Sequence, residues 1–173
     1  GVWNISFDLS GYPQGAVNLY AEHTDGGTYP ASASVTVTKD TLIPTVSIAT
    51  PASNAYVLAS NENSFLVTGS CSENGQPVLI SGDATGGVLC SAGAWSANLD
   101  FSAAGQGTLT INVDHTDLAG NNATQATRDF IKDTIVPTIT ITSPAAGSII
   151  NIGNENSFTI SGTCSDNGTG NVS

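Results

Sequence analysis

Cationic side chains are almost missing from this sequence. Its 173 residues hold three Lys+Arg against fourteen Asp+Glu, a formal net charge of −11. Nucleic-acid binding draws its affinity from cations that displace phosphate counterions, and Lys39, Arg128 and Lys132 cannot supply that. The same shortage excludes binding to anionic lipid surfaces. Charge of either sign is scarce, at 10% of residues, where an average soluble domain has roughly 25%. With hydrophobic residues at 39%, this is not a charged, disordered tail. No apolar run approaches the roughly 18 residues of a transmembrane helix, so no membrane insertion is expected. No charged segment followed by an apolar one marks a secretion signal. Enzyme motifs are missing as well: there is no Gly-x-Ser-x-Gly elbow, His-Glu-x-x-His helix or glycine-rich phosphate loop. We expect no catalysis and no required cofactor.

What is present is a repeat. Asp40-Thr-Leu-Ile-Pro44 matches Asp133-Thr-Ile-Val-Pro137, and 133 − 40 = 93. The same offset carries Pro51 to Pro144, Asn61–Phe65 to Asn154–Phe158, Gly69 to Gly162 and Cys71 to Cys164. The other half repeats at 92: Trp3 to Trp95, Asp8 to Asp100, Gly15 to Gly107, and His23-Thr24-Asp25 to His115-Thr116-Asp117. Tandem modules of about 93 residues follow. The Asp-Thr-x-x-Pro segments read as linkers, because proline fixes φ and biases the preceding residue toward extended backbone. Residues 1–39 are then the C-terminal part of one module, 40–132 a complete one, and 133–173 the N-terminal part of the next.

The complete module reads as seven short strands with no helical pattern. They are Thr45–Ala49, Ser64–Cys71, Val78–Ser81, Val88–Ser91, Ala94–Asp100, Thr108–Asp114 and Ala123–Lys132. Asn74-Gly75 is a strong hairpin signal, both residues tolerating the positive φ of a type I′ turn, and should join the second strand to the third. Strands every 8–12 residues in a module of this length point to an all-β sandwich.

The strings Gly93-Ala-Trp95, Gly107-Thr-Leu-Thr-Ile-Asn-Val-Asp114, Asp117-Leu-Ala-Gly-Asn121 and Asp133-Thr-x-x-Pro137 resemble the bacterial immunoglobulin-like repeats of large surface adhesins and biofilm-associated proteins. That resemblance spans the chain. It implies tandem β-sandwiches serving as stalk units, with adhesive domains elsewhere. The paired cysteines depart from many such repeats.

Cys71 and Cys90 lie 19 positions apart within one module, and a bridge between them is expected; two buried thiols are the alternative. Such a bridge would place the protein in an oxidising compartment, extracellular or on the cell surface. No Cys-x-x-Cys exists, so zinc is not expected. His23 and His115 occupy one repeat position and read as loop residues. Trp3 and Trp95 read as core residues, not sugar platforms. The Lys39 and Lys132 pair leaves an intramolecular Lys–Asn crosslink as a remote alternative.

The carboxylates are the candidate site. The topology of a seven-strand sandwich brings Asp40, Glu73 and Asp117 to one inter-module junction. Asp133 and Asp166, with Glu62 from the preceding module, belong to the next. Gathered carboxylates repel unless a hard cation sits among them, which makes Ca²⁺ between modules a candidate ligand; Asp and Asn are also ordinary turn residues, and solvated turns are the reading we favour. Expected partners are neighbouring repeats of the same chain, with a glycan or protein ligand bound through other domains. Two readings compete with a stalk: a ligand-binding module, and a subunit of a head-to-tail filament.

Overall fold

The computed structural model describes residues 1–27 and 29–165. It divides into two compact units, Gly1–Lys132 and Asp133–Ser173. No helix occurs among the described residues.

In the first unit, β1 (Gly15–Thr24) and β2 (Pro30–Lys39) form an antiparallel hairpin, Gly15 opposite Lys39. Eight strands follow: β3 (Val46–Thr50), β4 (Ala55–Val57), β5 (Phe65–Cys71), β6 (Pro77–Gly82), β7 (Gly86–Leu89), β8 (Ala94–Leu99), β9 (Gly107–His115) and β10 (Ala126–Lys132). They build two sheets, ordered β3-β5-β8 and β4-β10-β9-β6-β7. The three-on-five order, with the first strand split between the sheets and its second piece parallel to the last strand, is an immunoglobulin-like sandwich.

Period-2 alternation explains which faces meet. Phe65, Val67, Gly69 and Cys71 point inward from β5, and Leu109, Ile111, Val113 and His115 from β9. Between the sheets, Phe65, Phe101 and Phe130 meet edge-to-face at centroid separations of 5.0–6.2 Å, the arrangement that ring quadrupoles favour. Trp95 packs over Gly69 and donates from Nε1 to the Ser47 carbonyl at 3.0 Å. A Cβ at Gly69 would run into that carbonyl and the indole together. The glycine is therefore required by close approach, without any unusual backbone angle.

Two expectations are corrected here. Asn74-Gly75 does not close a hairpin: β5 and β6 lie in different sheets. Gly75 has φ +83° but Asn74 is not in the left-handed region, so no type I′ turn forms. The segment instead crosses between sheets: Asn74 Oδ1 accepts the Gly93 N–H, and the Gly75 N–H binds the Cys90 carbonyl. The strand β4 was not expected, because three residues carry too little alternation to register as a strand. Arg128 fixes the switch that creates it, donating to the carbonyls of Ile48 and Pro51.

In the second unit, β11 (Ile139–Ser143) and β12 (Ser161–Cys164) form an antiparallel pair. Asp166 and Asn167-Gly168, the latter 93 positions after Asn74-Gly75 in the sequence, lie outside the described residues.

Candidate functional site

The polar chemistry of the first unit turns inward. Lys132 ends β10 and is buried, at 3% exposure. Its Nζ donates to the carbonyls of Phe101 (2.7 Å), Ser102 (3.2 Å) and Ala104 (3.0 Å) and pairs with Glu62 Oε2 at 2.8 Å. An ammonium offers three donors, so burial is compensated both by oxygens and by a counter-charge. The Phe101 N–H binds the Glu62 carbonyl at 2.7 Å, fastening the same two loops a second time. Beside them Asp100 accepts the Ser102 N–H at 2.8 Å. Ser102, first through its side chain and then through that N–H, holds the Asp100 carboxyl below its usual 3.8.

The same device stands in residues 1–39. Lys39 ends β2 and donates to Leu9, Ser10 and Tyr12 carbonyls at 2.8, 3.0 and 2.6 Å. Asp8 accepts the Ser10 N–H at 2.8 Å, and Ser10 lowers its carboxyl below the ordinary range, mainly through that bond. With Arg128, all three cations of the chain therefore bind main-chain carbonyls.

At the other pole, Asp117 accepts the Asn121 N–H (2.7 Å) and Asn121 Nδ2 (2.8 Å). The Asn121 side chain is the main reason its carboxyl is held below the usual value. Asn121 Nδ2 also reaches the Asp40 carbonyl at 3.2 Å. Next to this, Gln14 grips the linker at Thr41 from both amide atoms: Oε1 accepts the Thr41 N–H (2.9 Å) and Nε2 meets Oγ1 (2.7 Å).

The carboxylates are thus placed differently from the expectation. Glu62 is committed to Lys132 within its own sandwich. Asp117 folds onto its own turn. Asp40 approaches through its carbonyl, while its Oδ1 accepts the Leu42 N–H. Asp133 Oδ1 likewise accepts the Ile135 N–H. Glu73 enters through its main chain, its N–H bound by His115 Nε2 at 3.2 Å. Among the described residues, no three His, Cys, Asp or Glu side chains gather into a group that could hold a metal ion. The physical reason is visible at the first junction. Asn121, a neutral donor, stands between the Asp117 carboxylate and the Asp40 carbonyl, where the calcium reading put a cation.

His115 is corrected as well. It is no loop residue: it ends β9 at 1% exposure. Since Nε2 accepts from Glu73, Nδ1 is the donor to the Pro77 carbonyl at 2.9 Å; the neutral tautomer is assigned from this network. The sequence signal was its place in register with the inward residues Leu109, Ile111 and Val113. Trp95 is buried as expected, but Trp3 is exposed at 72%.

Cys71 and Cys90 are bridged, with S–S 2.07 Å and Cα–Cα 5.9 Å. Cys71 ends β5 and Cys90 follows β7, so the bridge ties the two sheets together. Closing a loop of 19 residues contributes on the order of 3 kcal/mol. A shallow groove of about 460 Å³ opens nearby, lined by Thr68, Gly69, Leu89, Ser91, Trp95 and Ser96 among others.

No protein-family model and no curated protein matches the chain. Among solved structures it is similar to a tetra-tandem repeat in the extending region of a large adhesion protein. That likeness is 17% identical with a TM-score of 0.47, covering 81% of this chain and 38% of that one. It is also similar to a bacterial immunoglobulin-like domain from the M. primoryensis ice-binding adhesin. Here the identity is 21% and the TM-score 0.35, over 53% of this chain and 98% of that one. Both neighbours come from adhesion proteins. The strand order of residues 40–132 by itself identifies the immunoglobulin-like sandwich.

Proposed function

We propose that this chain is a spacer: tandem immunoglobulin-like repeats of an extracellular or cell-surface bacterial adhesin or fibre, holding a binding region away from the cell. One observation carries this reading. Every cation binds main-chain carbonyls, and two of them, Lys39 and Lys132, lock the last strand of successive modules at the point where the chain enters a linker. Between modules, Gln14 and Asn121 grip the incoming linker at Thr41 and Asp40. Such a module is fastened at its ends and commits its cations to its own main chain and not to recognition. The disulfide suits an oxidising compartment. Neighbouring repeats are the partners in this reading, and ligands belong to other domains. Calcium is not required, because neutral amides occupy the first joint.

The test is to pass the full chain over a glycan array and to melt it in millimolar Ca²⁺ and again in EDTA. A spacer binds no glycan, and its two melts coincide. Saturable binding to one glycan class would replace this reading with a recognition module. A ligand at 100 times its Kd adds about 2.7 kcal/mol, so a shift of several degrees in Ca²⁺ would restore cation-stiffened joints built on Asp40, Asp133 and Asp166.

A further inference from the structure

Two apolar faces of this chain lie open, and the repeat pairs them. Residues 1–9 belong to no strand, yet Trp3, Ile5 and Phe7 alternate as a strand face does and are 72%, 63% and 54% exposed. By the 92-residue offset they are the counterparts of Trp95, Ala97 and Leu99, the buried face of β8. Elsewhere, β12 pairs with β11 alone. A groove of about 260 Å³ runs over this pair and is lined only by the pair's own residues, 139–141 and 160–164.

Within residues 40–132 the corresponding faces are closed on each other. Strand β8 pairs with β5 in the register Trp95↔Gly69, Ala97↔Val67 and Leu99↔Phe65. The indole fills the space that Gly69 leaves and reaches the Ser47 carbonyl. Gly162 and Thr140 repeat Gly69 and Ser47, down to the carbonyl that a Cβ would meet, but among the described residues no indole lies beside Gly162. The lysine site repeats too. Lys132 has Glu62 as its carboxylate. Lys39 has its three carbonyls, and Glu155, the counterpart of Glu62, is exposed.

We propose that residues 2–7 of one copy add as a strand to β12 of a second copy, with Trp3 opposite Gly162, Ile5 opposite Ile160 and Phe7 opposite Phe158. The Trp3 indole then donates to the Thr140 carbonyl, and Glu155 of the second copy reaches Lys39 of the first. Side-chain size suits this pairing. Ile5 and Phe7 are larger than Ala97 and Leu99, whereas Leu9 and Val37 are smaller than Phe101 and Phe130, so volume is redistributed and not lost. Net charge does not oppose it. Residues 133–173 hold three acidic side chains and no cation, as 40–80 do, and residues 1–39 and 94–132 each hold two more acidic than cationic side chains. Residues 40–80 and 94–132 close on each other with that charge. A second copy is the occupant because one copy cannot reach. The chain enters the sandwich at the Asp40 pole and leaves it at the Lys132 pole. The six linker residues 133–138 span about 20 Å, short of the roughly 30 Å of a nine-residue strand such as β9. The contact is heterologous, so copies join end to end. The inference rests on these two faces and is independent of the spacer reading.

Sedimentation equilibrium of the full chain over a concentration series tests this. The mass of the wild type rises above the monomer as concentration increases. Trp3→Ala, at an exposed position outside the core, weakens association at least about tenfold, a change of about 1.4 kcal/mol. Glu155→Lys sets two cations together and weakens association at low salt, with recovery as salt screens the repulsion. Tyr29→Ala removes an aromatic that is 78% exposed but lies outside the strip, and association is unchanged. A wild type that stays monomeric overturns the proposal; if Trp3→Ala then lowers its melting temperature, the strip is covered within one copy. A Trp3→Ala chain that associates as tightly as the wild type overturns it too, as does a Tyr29→Ala chain that loses association equally.

Discussion

Residues 40–132 and the segments flanking them share sequence motifs yet differ in what those motifs accomplish. Lys39 and Lys132 each cap three carbonyls. Ser47 and Ser70 hydroxyls meet at 2.8 Å, and their counterparts Thr140 and Thr163 meet at 2.7 Å. Asn61 Oδ1 accepts the Leu58 N–H at 2.8 Å, as Asn154 Oδ1 accepts the Asn151 N–H at 2.7 Å. Gly69 and Gly162 each leave no room for a Cβ beside a facing carbonyl.

Burial does not follow. Val67 and Val57 are fully buried, whereas Ile160 and Ile150, at the same repeat positions, are 65% and 59% exposed. Phe130 is fully buried and its counterpart Val37 is 36% exposed. Turns, caps and ladders need only a strand and its neighbour. A core needs a second sheet laid over the first, and among the described residues only 40–132 supply both. The same local chemistry therefore occurs with and without a second sheet over it.

Truncations separate the two regimes most sharply. Phe130→Ala removes one of three interlocked rings and costs about 3–5 kcal/mol. Ile160→Ala, on an exposed strand position, stays within about 0.5 kcal/mol. Urea denaturation measures both, and equal costs would mean that residues 133–165 share a core after all.

Lys132→Ala strands Glu62 and three carbonyls, costing about 3 kcal/mol as an uncompensated buried partner. Lys39→Ala, at a half-buried site with no direct ion pair among the described residues, costs about 1 kcal/mol. The contrast fails if the two variants melt alike.

Reducing Cys71–Cys90 removes about 3 kcal/mol, and only from the sandwich. A dithiothreitol melt that left the residues 40–132 transition in place would deny the bridge its role.

The smallest effect is in acid. Asp8, Asp100 and Asp117 have folded-state carboxyls lowered below 3.8, so the unfolded chain takes up their protons first. Their contribution is present above about pH 4 and lost as pH falls through the lowered values. Asp100→Asn and Asp117→Asn should each flatten the acid limb of stability against pH; an unchanged limb would contradict the hydrogen-bond geometry.

The strands that alternate strongly were legible before any coordinates: β5, β8, β9 and β10 fall within a few residues of their expected spans. So was the cysteine pairing, because both residues sit in one module. The candidate site was less legible. Asp40, Glu73 and Asp117 belong to one pole of the sandwich and Glu62 to the other, and which group Glu62, Glu73 and Asp40 present depends on partners far away in sequence. Glu62 answers Lys132, 70 positions on, and Asn121 answers Asp40 across 81 residues. A carboxylate next to a turn looks the same in sequence whether it faces solvent, a lysine or an amide.

The sequence by itself determined the repeat, the inward faces of the main strands and the short-range turns, since each depends on alternation or on residues a few positions apart. Tertiary structure decided the rest. It sent β6 to the opposite sheet from β5, split the first strand around Arg128, and buried Lys132 and His115. In each case the deciding partner is a main-chain carbonyl, an N–H or a strand dozens of residues away, and only the closed sandwich brings it within reach.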